Sequence, residues 1–237
     1  ALSVDFGNDS TQSEALLRKG SFSANTSEPM LKMLEHVLVG ELQLERVTIR
    51  KSWNRVLAIY KRKGMEVSVK RVGATQLGAG GVVGNKGAIS ALLWVHDTTW
   101  IRVVCAHFAA HAEHVSDRNA NYVSIRKAIS MFYSQFGNES AARDLSLYMP
   151  PHHEIWLGDF NYRLSANDSK EVLELIEKKD WLALLARDQL RLERAVGNVF
   201  YGLSEGPIDF PPTFKYKPYS VEYDKIKGRV PSYCDRI

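Results

Sequence analysis

Trp156-Leu157-Gly158-Asp159-Phe160-Asn161-Tyr162-Arg163 sets an acid, an amide and a guanidinium at alternate positions. An extended backbone projects all three toward one face. Together they suit hydrolysis of a phosphate monoester. A carboxylate can orient or deprotonate water, an amide can donate to a non-bridging oxygen, and an arginine can stabilise charge on the moving phosphoryl group. The same residues in isolation also suit a strand-to-helix turn in which Asp159 and Asn161 cap backbone groups.

Other segments offer compatible groups. Cys105-Ala106-His107-Phe108-Ala109-Ala110-His111 puts a histidine at the end of an apolar run, where loops beyond strand ends commonly build sites. A histidine there can equally be structural. Gly84-Asn85-Lys86-Gly87 combines flexible backbone, an amide and a cation, which fits an anion contact or a tight turn. The closing stretch carries Lys215-Tyr216, then Lys227-Gly228-Arg229-Val230-Pro231-Ser232-Tyr233-Cys234-Asp235-Arg236.

The elements that must position these groups follow from periodicity. Ser27-Glu28-Pro29 opens a helix whose apolar Met30, Leu31, Leu34, Val37 and Leu38 end at Gly40. Strand-like runs cover Leu42–Ile49 (across one slipped position), Arg55–Tyr60 and Glu66–Val72, and a glycine-dense stretch covers Gly73–Gly87. Ala88–Val95 and Trp100–Ala106 read as a hairpin buried on both faces. A helix is expected over Asn119–Phe136 and a short strand over Glu154–Leu157. Asp168 or Ser169 caps a further helix, and one continuous helical stretch runs from Trp181 to Ala195, stopped by Gly197. Gly7–Glu28 and the proline-bearing tail from Gly202 read as loop. Strands interleaved with helices give an α/β sandwich.

The chain has 237 residues, 45% hydrophobic and 24% charged, enough for one substantial core. Two distant cysteines indicate neither a zinc site nor a disulfide framework, which suits a reducing, cytoplasmic setting. No apolar run approaches the roughly 20 residues of a bilayer span. A net charge of +4 is compatible with phosphates, anionic membrane or nucleic acid.

With both W-x-G-D-x-N-[YF]-R and P-[AS]-[WY]-C-D-R in order, and with GNKG and H-x-A-A-H upstream, the chain resembles the inositol polyphosphate 5-phosphatases over roughly Ser27–Ile237. The resemblance implies the four-layer, DNase I-like α/β sandwich of two packed mixed β-sheets flanked by helices, here incomplete at both ends within a single partial domain. It implies removal of the 5-phosphate from phosphoinositide headgroups or soluble inositol phosphates at a membrane surface, with Mg²⁺ as cofactor and no nucleic acid partner.

By the same resemblance Asp159 activates water, and Asn161 and His107 hold the scissile phosphate. Asn85, Lys86, Arg118, Asn119 and Arg163 line the pocket. Lys215, Tyr216, Lys227 and Arg229 meet the 4-phosphate, and His111, Asp235 and Arg236 brace the site. The family's magnesium-binding glutamate and terminal Ser-Asp-His block have no counterpart in this chain. Glu35, Glu41, Glu45 and Ser116-Asp117-Arg118 fall in the wrong places to replace them. A non-catalytic phosphoinositide-binding module and another DNase I-like phosphodiesterase or nuclease remain as alternatives.

Overall fold

A computed structural model describes residues 3–5, 27–78, 85–134, 150–166, 168–224 and 228–237. Most of the Gly7–Glu28 loop, residues 79–84 of the glycine-dense stretch and Lys227 therefore lie outside the described residues. One sheet has the order β1-β3-β2 and a second the order β4-β5-β6-β7-β8. These strands are β1 (Ser3–Asp5), β2 (Leu44–Ser52), β3 (Arg55–Arg62), β4 (Val67–Leu77), β5 (Lys86–Val95), β6 (Thr99–His107), β7 (His153–Asp159) and β8 (Asp235–Arg236). The α/β architecture expected from the sequence is present. By contacts the chain forms two compact units, residues 1–106 with 129–156, and residues 107–128 with 157–237.

In the first unit, α1 (Ser27–Glu35) continues into a wider helical turn, His36–Glu41, which accounts for the helical pattern reaching Gly40. Leu31 of α1 packs on Val56 of β3 beside Ile49 of β2. The slipped position in β2 is a bulge between Arg46 and Thr48. Such an extra residue restores the apolar alternation on the far side of the bulge. β5 and β6 are buried along most of their length, as the apolar runs require. The Cys105 thiol of β6 reaches the Val56 carbonyl of β3 at 3.8 Å, tying the two sheets together here.

β4 runs five residues past the Val72 boundary expected from sequence, because Gly73–Leu77 pairs with Lys86–Ser90. At Gly87 the backbone has φ +146°, and a Cβ there would collide with the Thr75 carbonyl. Glycine is what lets the two strands close at this point.

In the second unit the ends of β6 and β7 meet α2 (Val115–Ser134, of which residues 115–128 belong here), α3 (Ser169–Glu177), α4 (Trp181–Leu185) and α5 (Gln189–Ala195). Asp168 caps α3 by accepting from the Lys170 N–H. The long helix expected over Trp181–Ala195 is two helices. It breaks at Asp188, whose carboxylate caps α5 through the Arg191 N–H and whose backbone forms a bridge with Leu164. A buried cap and a bridge to a distant segment outweigh one more helical turn. Gly197, with φ +78°, ends α5 as expected.

Two apolar groups fill this unit. Phe108, Phe160, Tyr162, Tyr122 and Phe200 form an aromatic cluster, with Phe108 and Phe160 stacked at 5.1 Å and Tyr122 tilted against Phe200 at 4.4 Å. Leu164, Val172, Leu184, Leu185 and Tyr233 form the other.

Candidate active site

β7 ends by delivering Asp159, and its neighbour β8 pairs Gly158 with Arg236 and Asp159 with Asp235. The Phe160 N–H donates to the Cys234 carbonyl at 2.8 Å, and the Phe108 N–H donates to the Asp159 carbonyl at 3.0 Å. The Cys234 thiol contacts the Tyr162 carbonyl at 3.7 Å. Three segments far apart in sequence are thus laced by backbone bonds around one carboxylate, which fixes it without relying on side-chain packing.

Asp159 Oδ2 lies 3.4 Å from His107 Nε2 and 3.1 Å from Asn161 Nδ2. Its Oδ1 accepts from the Asn161 N–H at 3.0 Å, a short loop closed because Asn161 takes a left-handed backbone with φ +56°. The second hydrogen of the Asn161 amide goes to the Phe108 carbonyl at 3.2 Å. Its Oδ1 accepts from Arg163 Nη2 at 2.5 Å. His107 and Asn161 are buried, whereas the Asp159 side chain keeps 29% of its surface exposed. The site therefore presents a partly open carboxylate held from two sides by nitrogen groups.

Arg163 lies over the Phe214 ring at 4.0 Å, and Arg229 lies over the same ring at 6.0 Å. Phe214 is bridged to Ser232, and the Ser232 hydroxyl accepts from the Leu164 N–H. Lys215 and Tyr216 follow Phe214 directly. Tyr216 stacks on Tyr223 at 4.5 Å, their hydroxyls are 3.0 Å apart, and the Tyr223 hydroxyl donates to the Pro212 carbonyl. Burial pushes the Tyr223 hydroxyl well above its ordinary range, helped by the Tyr216 contact.

Arg118 and Asn119 take a different place from the pocket lining expected of them. Arg118 has no exposed surface, and its guanidinium donates to the carbonyls of Ala109, His111 and Ala112 and to Gln189 Oε1. Burial pushes its pKa down, with the Tyr162 ring 5.1 Å away. Asn119 donates to Glu193 at 2.6 Å and accepts from the Tyr162 hydroxyl at 2.7 Å. Arg118 thus holds the loop after His107 from behind, while Asn119 ties α2 to α5 and to Tyr162. The two residues arrive there because Val115–Ser134 starts its helix four residues ahead of Asn119, turning this face of α2 inward.

His111 is exposed, with φ +72°, and its ring is 6.0 Å from that of His114. Asp235 is exposed beside Asp159 in register, while Arg236 is buried and pairs with Asp188 at 2.8 Å and Glu205 at 2.7 Å. Burial pushes the Asp188 carboxyl up against the opposing pull of Arg236. Asn85 and Lys86 belong to the first unit, where the Asn85 carbonyl accepts from the buried Arg55 at 2.8 Å.

Asp188, Gln189, Glu205 and Phe214 were missed from sequence. Asp188-Gln189 lies inside an apolar helical pattern, and only the Asp-before-helix signature marks it.

Among the described residues no group of three or more His, Cys, Asp or Glu side chains could hold a metal ion, and Asp159 is the carboxylate in the His107–Asn161 triangle. Magnesium seeks near-octahedral oxygen ligands. These residues do not compose such a site by themselves. Glu35 is paired with Arg46 and Glu45 with Lys61, both in the first unit.

A model of the Endonuclease/Exonuclease/phosphatase family 2 matches residues 11–237. The chain belongs to this family. Among curated relatives, rat synaptojanin-1 is 37% identical over 167 residues, covering 70% of this chain and 10% of that protein. Type I inositol polyphosphate 5-phosphatase 4 of Arabidopsis thaliana is 34% identical over 232 residues, 93% of this chain and 40% of that protein. The chain thus spans from a tenth to two fifths of the length of these relatives.

Among solved structures, the inositol polyphosphate 5-phosphatase domain of a synaptojanin, in complex with inositol (1,4)-bisphosphate and calcium ion, matches with a TM-score of 0.72 at 24% identity, over 93% of this chain and 63% of that one. A Cimex nitrophorin in a ferrous NO complex shares the fold at a TM-score of 0.62 and 17% identity, over 99% of this chain and 72% of that one. The family fold therefore hosts unlike functions, and the function of this chain has to be argued from its site.

Proposed function

We propose that the full-length protein removes the 5-phosphate from a phosphoinositide headgroup or a soluble inositol polyphosphate. The observation that carries this reading is the 34% identity to an inositol polyphosphate 5-phosphatase over 93% of the chain. The His107–Asp159–Asn161 triangle supplies the matching chemistry.

In this reading Asp159 orients water for in-line attack on phosphorus and takes its proton as the oxygen–phosphorus bond forms. The bridging ester oxygen departs as the opposite bond breaks and takes a proton from solvent to become the inositol 5-hydroxyl, while Asp159 returns its proton to solvent, so that inositol phosphate and water become an alcohol and inorganic phosphate. The Asn161 hydrogen now given to Asp159 turns to a phosphoryl oxygen, and His107 donates to another. Arg163 fixes the Asn161 amide, while Lys215, Tyr216, Lys227 and Arg229 meet the neighbouring 4-phosphate.

The reading includes a requirement for Mg²⁺, supported by the calcium ion in the synaptojanin structure. A divalent ion neutralises phosphoryl charge. Among the described residues Asp159 is the carboxylate that would meet it. No described helix is long and apolar enough to cross a membrane.

The test is phosphate release by the full-length protein from a lipid carrying 4- and 5-phosphates, run beside a DNA substrate. Release from the lipid is expected; cleavage of DNA with an inert lipid overturns the reading in favour of a nuclease.

A further inference from the structure

We infer that Gln189 is a positioning residue that holds the histidine-bearing and aspartate-bearing segments of the site in mutual register; the inference rests on the phosphatase reading above. The Gln189 side chain is buried at 9% exposure. Its Oε1 accepts from Arg118 Nη2 at 2.7 Å and from the Arg163 N–H at 2.9 Å, and its Nε2 donates to the Ala112 carbonyl at 3.1 Å. Its own N–H donates to the Arg163 carbonyl at 2.9 Å.

On one side, then, Gln189 and Arg118 together hold the carbonyls of Ala109, His111 and Ala112, the turn that leads away from His107. On the other side Gln189 fixes both backbone polar groups of Arg163, whose side chain grips the Asn161 carbonyl and amide oxygen. Asn161 in turn donates twice to Asp159. A continuous chain of hydrogen bonds therefore runs from the turn after His107, through one amide, to the carboxylate proposed to activate water.

The chemistry demands glutamine at this point. Two acceptor positions on one oxygen and a donor on the neighbouring nitrogen are all used, and the opposite amide orientation would set donor against donor at Arg118 and Arg163. Methionine would fit the space and leave two buried donors without partners. Glutamate would keep both acceptors, gain charge attraction to Arg118, and set an acceptor against the Ala112 carbonyl. A positioning fault of this kind acts on turnover, since a displacement of about 1 Å can cost about 100-fold in rate.

The test measures kcat and KM of the full-length protein on a soluble inositol phosphate bearing 4- and 5-phosphates, together with hydrogen exchange at the Arg163 amide. Gln189→Met is expected to lower kcat about 10- to 100-fold while KM stays within about threefold, in protein that retains a cooperative thermal transition. The Arg163 amide is expected to exchange faster. Gln189→Glu is expected to keep that amide protected and to lose less turnover than Gln189→Met.

A folded Gln189→Met protein with parent-like kcat, or with unchanged Arg163 exchange, overturns the inference. Should Gln189→Met fail to fold, Gln189→Glu decides: reduced kcat at unchanged KM with a protected Arg163 amide upholds the bridge, and parent-like kcat overturns it. The exchange measurement needs no substrate. A parent inert toward inositol phosphates whose Arg163 amide still loses protection in Gln189→Met refutes the phosphatase reading and leaves the bridge standing.

Discussion

The Nδ2 of Asn161 stands 3.1 Å from Oδ2 of Asp159, only two residues away, because Asn161 adopts φ +56° and doubles back on the strand end. Asparagine tolerates that conformation better than most residues. The amide thus has a conformational reason to be there as well as a chemical one. Asp159→Ala is expected to lower kcat by about 10²- to 10⁴-fold, the range of a lost acid/base group, with a parent-like thermal midpoint since the side chain is partly exposed. Asn161→Asp should also lose turnover, because it removes two donors and sets a second carboxylate against the first. Steady-state kinetics with thermal melts check both.

Arg229 is exposed and lies over the Phe214 ring, as Arg163 does, and Lys215 is adjacent in sequence to that ring. Substituting Lys215 or Arg229 with alanine should penalise a 4,5-bisphosphate more than a substrate phosphorylated at position 5 alone, by about 1.5–3 kcal/mol for each lost charge-assisted contact. Comparing kcat/KM on the two substrates reads the difference; equal losses would mean general attraction rather than recognition.

Alkaline pH should unfold the second unit. Burial pushes the Cys234 thiol up, as it does the Tyr162 and Tyr223 hydroxyls, and it raises Tyr233 from 10.0 to about 12. Groups with raised native pKa hold their protons longer when folded. Their contribution is complete below the unfolded values, 9.0 for the thiol and 10.0 for the hydroxyls, and is lost as pH climbs toward about 12 for Tyr233. Denaturant midpoints should therefore fall steeply from pH 9 upward. Flat midpoints across that window would contradict the burial of these groups.

Chelation should abolish turnover in the full-length protein, and added Mg²⁺ should restore it. Phosphate release measured with EDTA and then with excess Mg²⁺ checks this; activity that survives chelation would remove the metal from the reaction.

The sequence was most informative where local chemistry is self-contained. The Asp168 cap, the buried strands Lys86–Val95 and Thr99–His107, the slipped register in Leu44–Ser52 and the Asp159–Asn161–Arg163 group all follow from short-range pattern. What escaped it was decided across the chain. Asp188 breaks an otherwise acceptable helix because Leu164 and Arg236 meet it, and no local signal tells of partners 48 residues away from Asp188 in the case of Arg236. Arg118 shows the converse. Its place beside the histidine motif suggested a ligand contact, but carbonyls that lie near it only after folding take three of its donors. Gln189 could not be read at all, since its partners lie 26 to 77 residues distant.

The pairing of β7 with β8 also bears on the order of folding. Tyr162 and Cys234 touch although 72 residues separate them, and the backbone of Asp159 is complete only when Asp235 lies alongside. Closing so long a loop is entropically late, whereas hairpins such as Arg55–Arg62 against Leu44–Ser52 can zip early. The carboxylate should consequently be among the last groups to reach its native setting during refolding, and a protein halted just short of that event would already carry most of its sheet while having no competent site.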